Sequence, residues 1–174
     1  MSNRRQFLQH TAAGASALAF PLVGGAQPRP VKVGILHPVT GALAYSGQQC
    51  REGALLAIED INRNGIRSLG GAKLDVMLGD AQSTPQAGAA EIEKMSEAGC
   101  SAVVGAFASA ICLATTQAAA KYNLPHVVDV GVADQIVQRG LKNTFRFGPG
   151  YATCAQVAVN NLHVLNTVAG KPAK

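Results

Sequence analysis

The sequence predicts an α/β fold built on an open parallel sheet of four to five strands, with helices on both faces. Short runs of Val, Ile, Leu and Ala alternate along the chain with longer segments whose apolar residues recur every three or four positions. The runs are apolar throughout, as in strands that are buried on both faces. A helix between each pair of strands favours right-handed crossovers, and these produce a parallel sheet.

The predicted elements follow one another regularly from residue 31. The segment 47–64 is predicted as the first helix, because its apolar residues fall on one face. Thr84 and Pro85 are typical of an N-cap and a first helical position. The strands are expected at 31–36, 74–78, 102–104, 126–128 and 144–147, and the remaining helices at 85–98, 110–122 and 151–166.

Residues 1–26 are predicted to be a twin-arginine export signal. Arg4 and Arg5 precede an apolar stretch at 11–23, and small residues end at Ala26. This stretch is shorter than the roughly 20 residues that span a bilayer, so a cleaved signal is preferred to a membrane anchor. The mature chain is then expected to work in the periplasm as one lobe, residues 27–170, without a second lobe.

Composition and charge narrow the classes of function. The formal net charge is +5, Arg4 and Arg5 contribute to it, and no Lys/Arg cluster with neighbouring aromatic residues occurs after the signal. This pattern argues against a nucleic-acid partner. The four cysteines are not at zinc-binding spacing, and two alternatives stay open for them, buried thiols or one disulfide. No histidine has a ligand partner at metal-site spacing, so no metal is expected.

In an open parallel sheet, the ligand crevice lies beyond the carboxyl ends of the strands. The loops 37–47, 105–109 and 129–134 are expected there, and each is rich in glycine, alanine and small polar residues. Ser109 precedes a predicted helix, so its hydroxyl and the free N-H groups of that helix favour a carboxylate ligand. The alternative is that Ser109 only caps its own helix.

Other residues of these loops have two interpretations each. Tyr45 and Phe107 are candidates to wall the pocket, or they simply pack against the core. Asp129 and Asp134 are candidates to meet an ammonium group of the ligand, or they cap turns and helices.

Catalytic motifs do not occur in the sequence. There is no Gly-x-Ser-x-Gly elbow, no Gly-x-Gly-x-x-Gly turn and no phosphate-binding loop. The sequence therefore predicts a binding protein and not an enzyme. Its pocket is expected to have no reactive centre and no cofactor.

An ordered set of short motifs resembles type I periplasmic binding proteins of the leucine/isoleucine/valine-binding family. The resemblance covers about residues 32 to 169, and its specificity comes from the order of the motifs. They are VGIL at 33–36, PVTG at 38–41, AIEDIN at 57–62, VG at 104–105, NLP at 123–125 and NTFR at 143–146.

The resemblance implies two hinged α/β lobes that close on a small ligand and deliver it to an inner-membrane ABC permease. Ligands in this family include branched-chain and other amino acids, amides, urea and carboxylic acids. By resemblance, Ser109 matches the serine that binds the ligand's carboxylate. Tyr45 and Ser46 match the loop that lines one side of the pocket, and the loop that holds the head group is matched by Gly131, Val132 and Ala133.

Two departures from the family pattern change the expected ligand and the expected affinity. Ala133 stands where amino-acid binders usually present a threonine hydroxyl, so an α-ammonium group would lose a partner, at a cost on the order of several kcal/mol. A carboxylate without an ammonium group is therefore expected. The chain also has the length of one lobe, which predicts weak or absent binding by this chain alone.

Two further hypotheses compete with a solute-binding protein. One is a periplasmic ligand-sensing domain of a regulatory system, and the other is an α/β enzyme exported by the twin-arginine route.

Overall fold

The computed structural model describes residues 28–170, so the predicted export signal at 1–26 lies outside the described residues. The sequence folds into a five-stranded, fully parallel sheet of order β2-β1-β3-β4-β5. Its strands are β1 (Val31–His37), β2 (Leu74–Asp80), β3 (Ala102–Gly105), β4 (His126–Val128) and β5 (Thr144–Arg146). The helices are α1 (Ala44–Asn64), α2 (Pro85–Glu97), α3 (Ser109–Lys121), α4 (Gln135–Gln138) and α5 (Tyr151–Val168). The predicted α/β class and parallel sheet are confirmed.

The main core lies between the sheet and helices α2 and α3. Leu36, Met95 and Val103 are fully buried there, together with Ile111 from α3 and Val128 from β4. Helix α2 begins as predicted, because the Thr84 side chain accepts a hydrogen bond from the Ala87 N-H at 3.2 Å.

The opposite face of the sheet is covered less completely. Helix α1 packs on β1 and β2, and a cavity of about 240 Å³ remains between this helix and the sheet, lined by Val33, Ile35 and Val104 among other apolar residues. Across β4 and β5, the neighbours in register with Val104 are Val127 and Phe145. Phe145 is 53% exposed. Helices thus lie on both faces as predicted, but unequally.

The first helix begins three residues earlier than predicted. Gly41 has a φ of +82°, and the Leu43 N-H donates to the Ser83 hydroxyl oxygen at 3.0 Å, so the chain has already turned when it reaches Ala44. Tyr45 and Ser46 therefore lie in the first turn of α1 and not in a loop. The short helix α4 was not predicted, because four residues are too few to show a helical period.

Helix α5 projects from the rest of the described chain. None of its residues is buried, and its exposed side chains include Val159, Leu162, Leu165 and Val168. No helix among residues 28–170 has the length and apolar character needed to cross a membrane.

The alternative of buried thiols, without a disulfide, holds for only some of the four cysteines. All four are free thiols; Cys100 and Cys112 are buried, Cys50 is half-buried and Cys154 is exposed. The prediction of buried thiols is therefore wrong for Cys154, because the face of α5 that carries it has no packing partner in the described residues.

Candidate functional site

The carboxyl ends of the five parallel strands form one edge of the sheet, and the loops at this edge converge as expected. The Ala133 N-H donates a hydrogen bond to the Ser109 hydroxyl oxygen at 3.1 Å. This contact joins the loop after β3 to the loop after β4. Because Ser109 accepts this bond, its own hydroxyl hydrogen is left to donate to another group.

Ser109 does not cap its own helix. It is the first residue of α3, the N-cap position is Ala108, and no side chain caps this end. The N-cap interpretation of Ser109 is therefore wrong, because its hydroxyl reaches across to the neighbouring loop.

Two glycines allow these loops to approach the core closely. Gly105 has a φ of +146°, and a Cβ there would collide with the carbonyl oxygen of Leu36. A Cβ on Gly131 would lie 2.7 Å from the Cys112 Sγ. Side chains at either position would force the loops away from the edge of the sheet.

A hydrogen-bonded pair of side chains, His37 and Asp129, fixes the start of the loop after β4. The Nε2 atom of His37, at the end of β1, lies 2.6 Å from Oδ2 of Asp129, and the His37 side chain is fully buried. The other carboxylate oxygen accepts the Val130 N-H at 2.9 Å. Burial tends to raise the pKa of Asp129, but the hydrogen bond and charge of His37 outweigh it and hold this pKa below its usual value. Both oxygens of Asp129 thus have partners within the chain.

The carboxylate of Asp134 also has partners within the chain. One oxygen accepts the backbone N-H of Ala152, in the first turn of α5, at 3.0 Å, and the other lies 3.6 Å from Nη2 of Arg146. Arg146 was not singled out as a site residue from the sequence. Its only signal there was its place in the NTFR motif, which says nothing about what its guanidinium contacts.

The remaining predicted site residues take no part in the hydrogen bond between Ser109 and Ala133. Phe107 is half-buried and has a φ of +69°, an uncommon conformation for a bulky residue. Tyr45 is 80% exposed and Ser46 half-buried, and within residues 28–170 no hydrogen bond joins either of them to Ser109 or Ala133. Val132 contributes backbone, since its carbonyl oxygen accepts the Tyr151 N-H at 2.9 Å.

Asp80 organises the loop after β1, a role that the sequence did not reveal. It accepts the Val39 N-H at 3.0 Å, the Thr40 hydroxyl at 2.6 Å and the Gln82 N-H at 2.8 Å. Burial tends to raise the pKa of Asp80, but these hydrogen bonds lower it below its usual value.

The candidate site therefore offers the Ser109 hydroxyl at the strand ends, beside carboxylates that already have partners within the chain. Among residues 28–170, no three His, Cys, Asp or Glu side chains come together as a group that could hold a metal ion. The buried Cys112 has its pKa raised to about 11 by burial, so it is a neutral thiol.

Comparisons with known proteins identify the family of this chain. The periplasmic binding protein family model matches residues 30–164. The Leu/Ile/Val-binding protein homolog 7 of Brucella melitensis is 33% identical over 143 residues, which are 81% of this chain and 35% of that relative. The chain thus spans about a third of the length of the curated relatives it matches.

Solved structures share the fold. The branched-chain amino acid transporter substrate binding protein LivJ of Streptococcus pneumoniae, solved with isoleucine, has a TM-score of 0.65 and 26% identity, over 70% of this chain and 34% of that one. The leucine-binding protein LivK of Thermotoga maritima has a TM-score of 0.65 and 25% identity, over 76% of this chain and 37% of that one. With a family model matched over most of its length, the chain belongs to the periplasmic binding protein family, and it is similar to the Leu/Ile/Val-binding members.

Proposed function

We propose that this protein is an extracytoplasmic solute-binding component of an ABC-type importer, and that its ligand is a branched-chain or other amino acid or a small carboxylic acid. The observation that carries the proposal is the Ser109 hydroxyl, which accepts from Ala133 and keeps a hydrogen to donate. It lies at the first turn of α3, where the unpaired N-H groups and the helix dipole favour an anion.

Within this range, we propose that a carboxylate without an α-ammonium group is preferred. A buried ammonium requires an acceptor. Ala133 has no side-chain oxygen, Asp129 is paired with His37, and Asp134 is paired with Arg146 and the Ala152 N-H. Both carboxylates that the sequence offered as partners for an ammonium group therefore already have partners within the chain.

Export by the twin-arginine signal at 1–26 and delivery to an inner-membrane permease belong to the same proposal. The family supports a periplasmic location and a role in transport. We infer that the described residues form one side of the ligand pocket, and on this basis we predict weak or absent binding by this chain alone.

The test is designed for weak binding. The chain beginning at Gln27 is labelled with ¹⁵N and titrated with L-leucine and with 4-methylpentanoate, which is leucine without its amino group. We expect saturable amide shifts at Ser109 and at residues 131–133 with 4-methylpentanoate, smaller shifts with L-leucine, and no micromolar binding by calorimetry.

The variants Ser109→Ala and Ser109→Thr measure the contribution of the Ser109 hydroxyl to ligand binding. Loss of the shifts in Ser109→Ala and their retention in Ser109→Thr are expected, because only the second keeps a donor. Equal titrations for the two variants, or no site shifts with either compound at millimolar concentrations, would contradict the proposal. Tighter binding of L-leucine would contradict the preferred ligand class alone.

A further inference from the structure

Helix α5 is attached to the rest of the described chain through its first turn. The Tyr151 N-H donates to the Val132 carbonyl oxygen at 2.9 Å, and the Ala152 N-H donates to Asp134 at 3.0 Å. The N-cap residue itself is Gly150, which has no side chain to accept a bond. Asp134 therefore takes the place of a capping side chain, although it lies in a preceding loop, 18 positions before Ala152 in the sequence.

Arg146 holds the same loop from β5. Its Nη1 atom donates to the carbonyl oxygens of Ala133 at 3.0 Å and Val132 at 3.3 Å, and its Nε atom donates to that of Gly148 at 3.1 Å. The Nη2 atom lies 3.6 Å from Asp134, and the side chain is only 11% exposed. One planar guanidinium thus joins the candidate ligand loop, the strand end and the segment that leads to α5.

Close packing at Gly150 limits how this junction can rearrange. A Cβ at Gly150 would collide with the Asp134 carboxylate and the Arg146 guanidinium. The backbone of Gly150 therefore lies directly against the ion pair. A shift of Asp134 has to be accompanied by a shift of the first turn of α5.

We propose that Asp134 and Arg146 are positioning residues that couple the conformation of the loop 131–134 to the direction of α5. Asp134 is then not a ligand-binding residue. Its carboxylate caps α5. A ligand that displaces Ala133 or Val132 therefore also moves Asp134, and Asp134 moves the first turn of α5. The coupling to a ligand rests on the proposed function, whereas the capping contact does not.

The first experiment needs no ligand. Amide hydrogen exchange is measured by NMR for Asp134→Ala, Asp134→Asn and the control Asp60→Ala, which removes an exposed carboxylate paired with Arg63 in α1. We expect exchange at Ala152 to rise about five- to tenfold in Asp134→Ala, the loss expected from a missing cap. Asp134→Asn keeps an acceptor oxygen and should restore most of the protection. Unchanged exchange at Ala152 in a folded Asp134→Ala protein would overturn the proposal.

The second experiment measures coupling. Cys154 is exposed on α5 and is labelled with a trifluoromethyl group in a Cys50→Ser background, since Cys100 and Cys112 are buried. In the otherwise unchanged chain, 4-methylpentanoate should shift both the Ser109 amide signal and the ¹⁹F signal at Cys154. In Arg146→Gln, we expect the ¹⁹F response to be lost at concentrations of 4-methylpentanoate that still shift the Ser109 amide signal, whether or not the affinity has changed.

The outcomes separate the two proposals. If the Ser109 amide shifts while the ¹⁹F signal in the unchanged chain stays fixed, the coupling is wrong and the proposed function stands. If the ¹⁹F response survives in Arg146→Gln, the assignment of Arg146 is wrong. If no compound shifts the Ser109 amide, the proposed function fails, and the exchange rates at Ala152 still decide whether Asp134 holds α5.

Discussion

His126 is a buried imidazole at the first position of β4. It is fully buried, its Nε2 atom lies 3.3 Å from the Gly105 carbonyl oxygen, and its Nδ1 atom has no partner within residues 28–170. Burial lowers the pKa of His126 to about 4. The neutral form is therefore strongly preferred in the folded protein.

This burial predicts a loss of stability in mild acid. An unfolded histidine has a pKa of about 6.5. Between pH 6.5 and about pH 4, this histidine is therefore protonated in the unfolded chain and neutral in the folded chain. The free energy of unfolding should fall by about 3 kcal/mol over this range, and most of that fall should disappear in His126→Gln. Urea unfolding at a series of pH values measures the free energy of unfolding.

The control His163→Gln, at an exposed position of α5, should keep the wild-type dependence of this free energy on pH. The same pH dependence in the wild type and both variants would show that His126 is not responsible.

At the residue scale, local patterns in the sequence predicted a candidate site but not the contacts of its residues. Ser109 was found because it precedes a helix at a strand end, and this local feature is visible in one dimension. Its bond to Ala133 depends on how β3 and β4 pair, so the sequence left capping and ligand binding as equal alternatives. Arg146 was missed for the same reason, because each of its partners lies on another segment or beyond the strand end.

At the element scale, α1 depends on one close contact with the loop before it. Gly47 is the only buried residue of this helix, and a Cβ there would collide with the carbonyl oxygen of Pro38. Gly53, in the same helix, has nothing within 4 Å of the corresponding position. The two glycines therefore serve as a matched pair.

We predict opposite effects for alanine at these positions. Gly47→Ala should destabilise the protein by roughly 2 kcal/mol or more, because helix and loop must separate. Gly53→Ala should stabilise it by about 0.5–1 kcal/mol, because alanine loses less backbone entropy in a helix. Chemical unfolding of both variants measures the difference. A stabilising Gly47→Ala would mean that α1 does not lie against Pro38.

At the scale of the whole molecule, two apolar surfaces have no cover within the described residues. One is the sheet face beside α1, where Phe145 is 53% exposed, and the other is α5, where Leu162 and Leu165 are 55% and 65% exposed. Exposed apolar surface of this extent is typical of a surface that packs against further protein. The chain spans about a third of the length of its curated relatives.

We predict that α5 makes the isolated chain associate with itself. The variant Leu162→Lys/Leu165→Lys should reduce association measured by sedimentation velocity and leave the melting temperature almost unchanged, because these side chains are exposed in the fold. The control Asn160→Lys/Asn161→Lys adds the same charge to the same helix without removing apolar surface. Equal reduction by both variants would attribute the effect to charge and not to the apolar face.

The sequence by itself determined the α/β class, the parallel sheet and the edge at which the loops meet, because apolar periodicity and strand-helix alternation are local patterns. It also placed Ser109 and the segment 131–134 at that edge. Only the tertiary structure decided which polar groups remain free to meet a ligand. His37 pairs with Asp129 across 92 residues, and Arg146 and the first turn of α5 engage Asp134, so neither carboxylate is left unpaired. Such pairings depend on distances between separate strands, and no period or spacing along one chain carries that information.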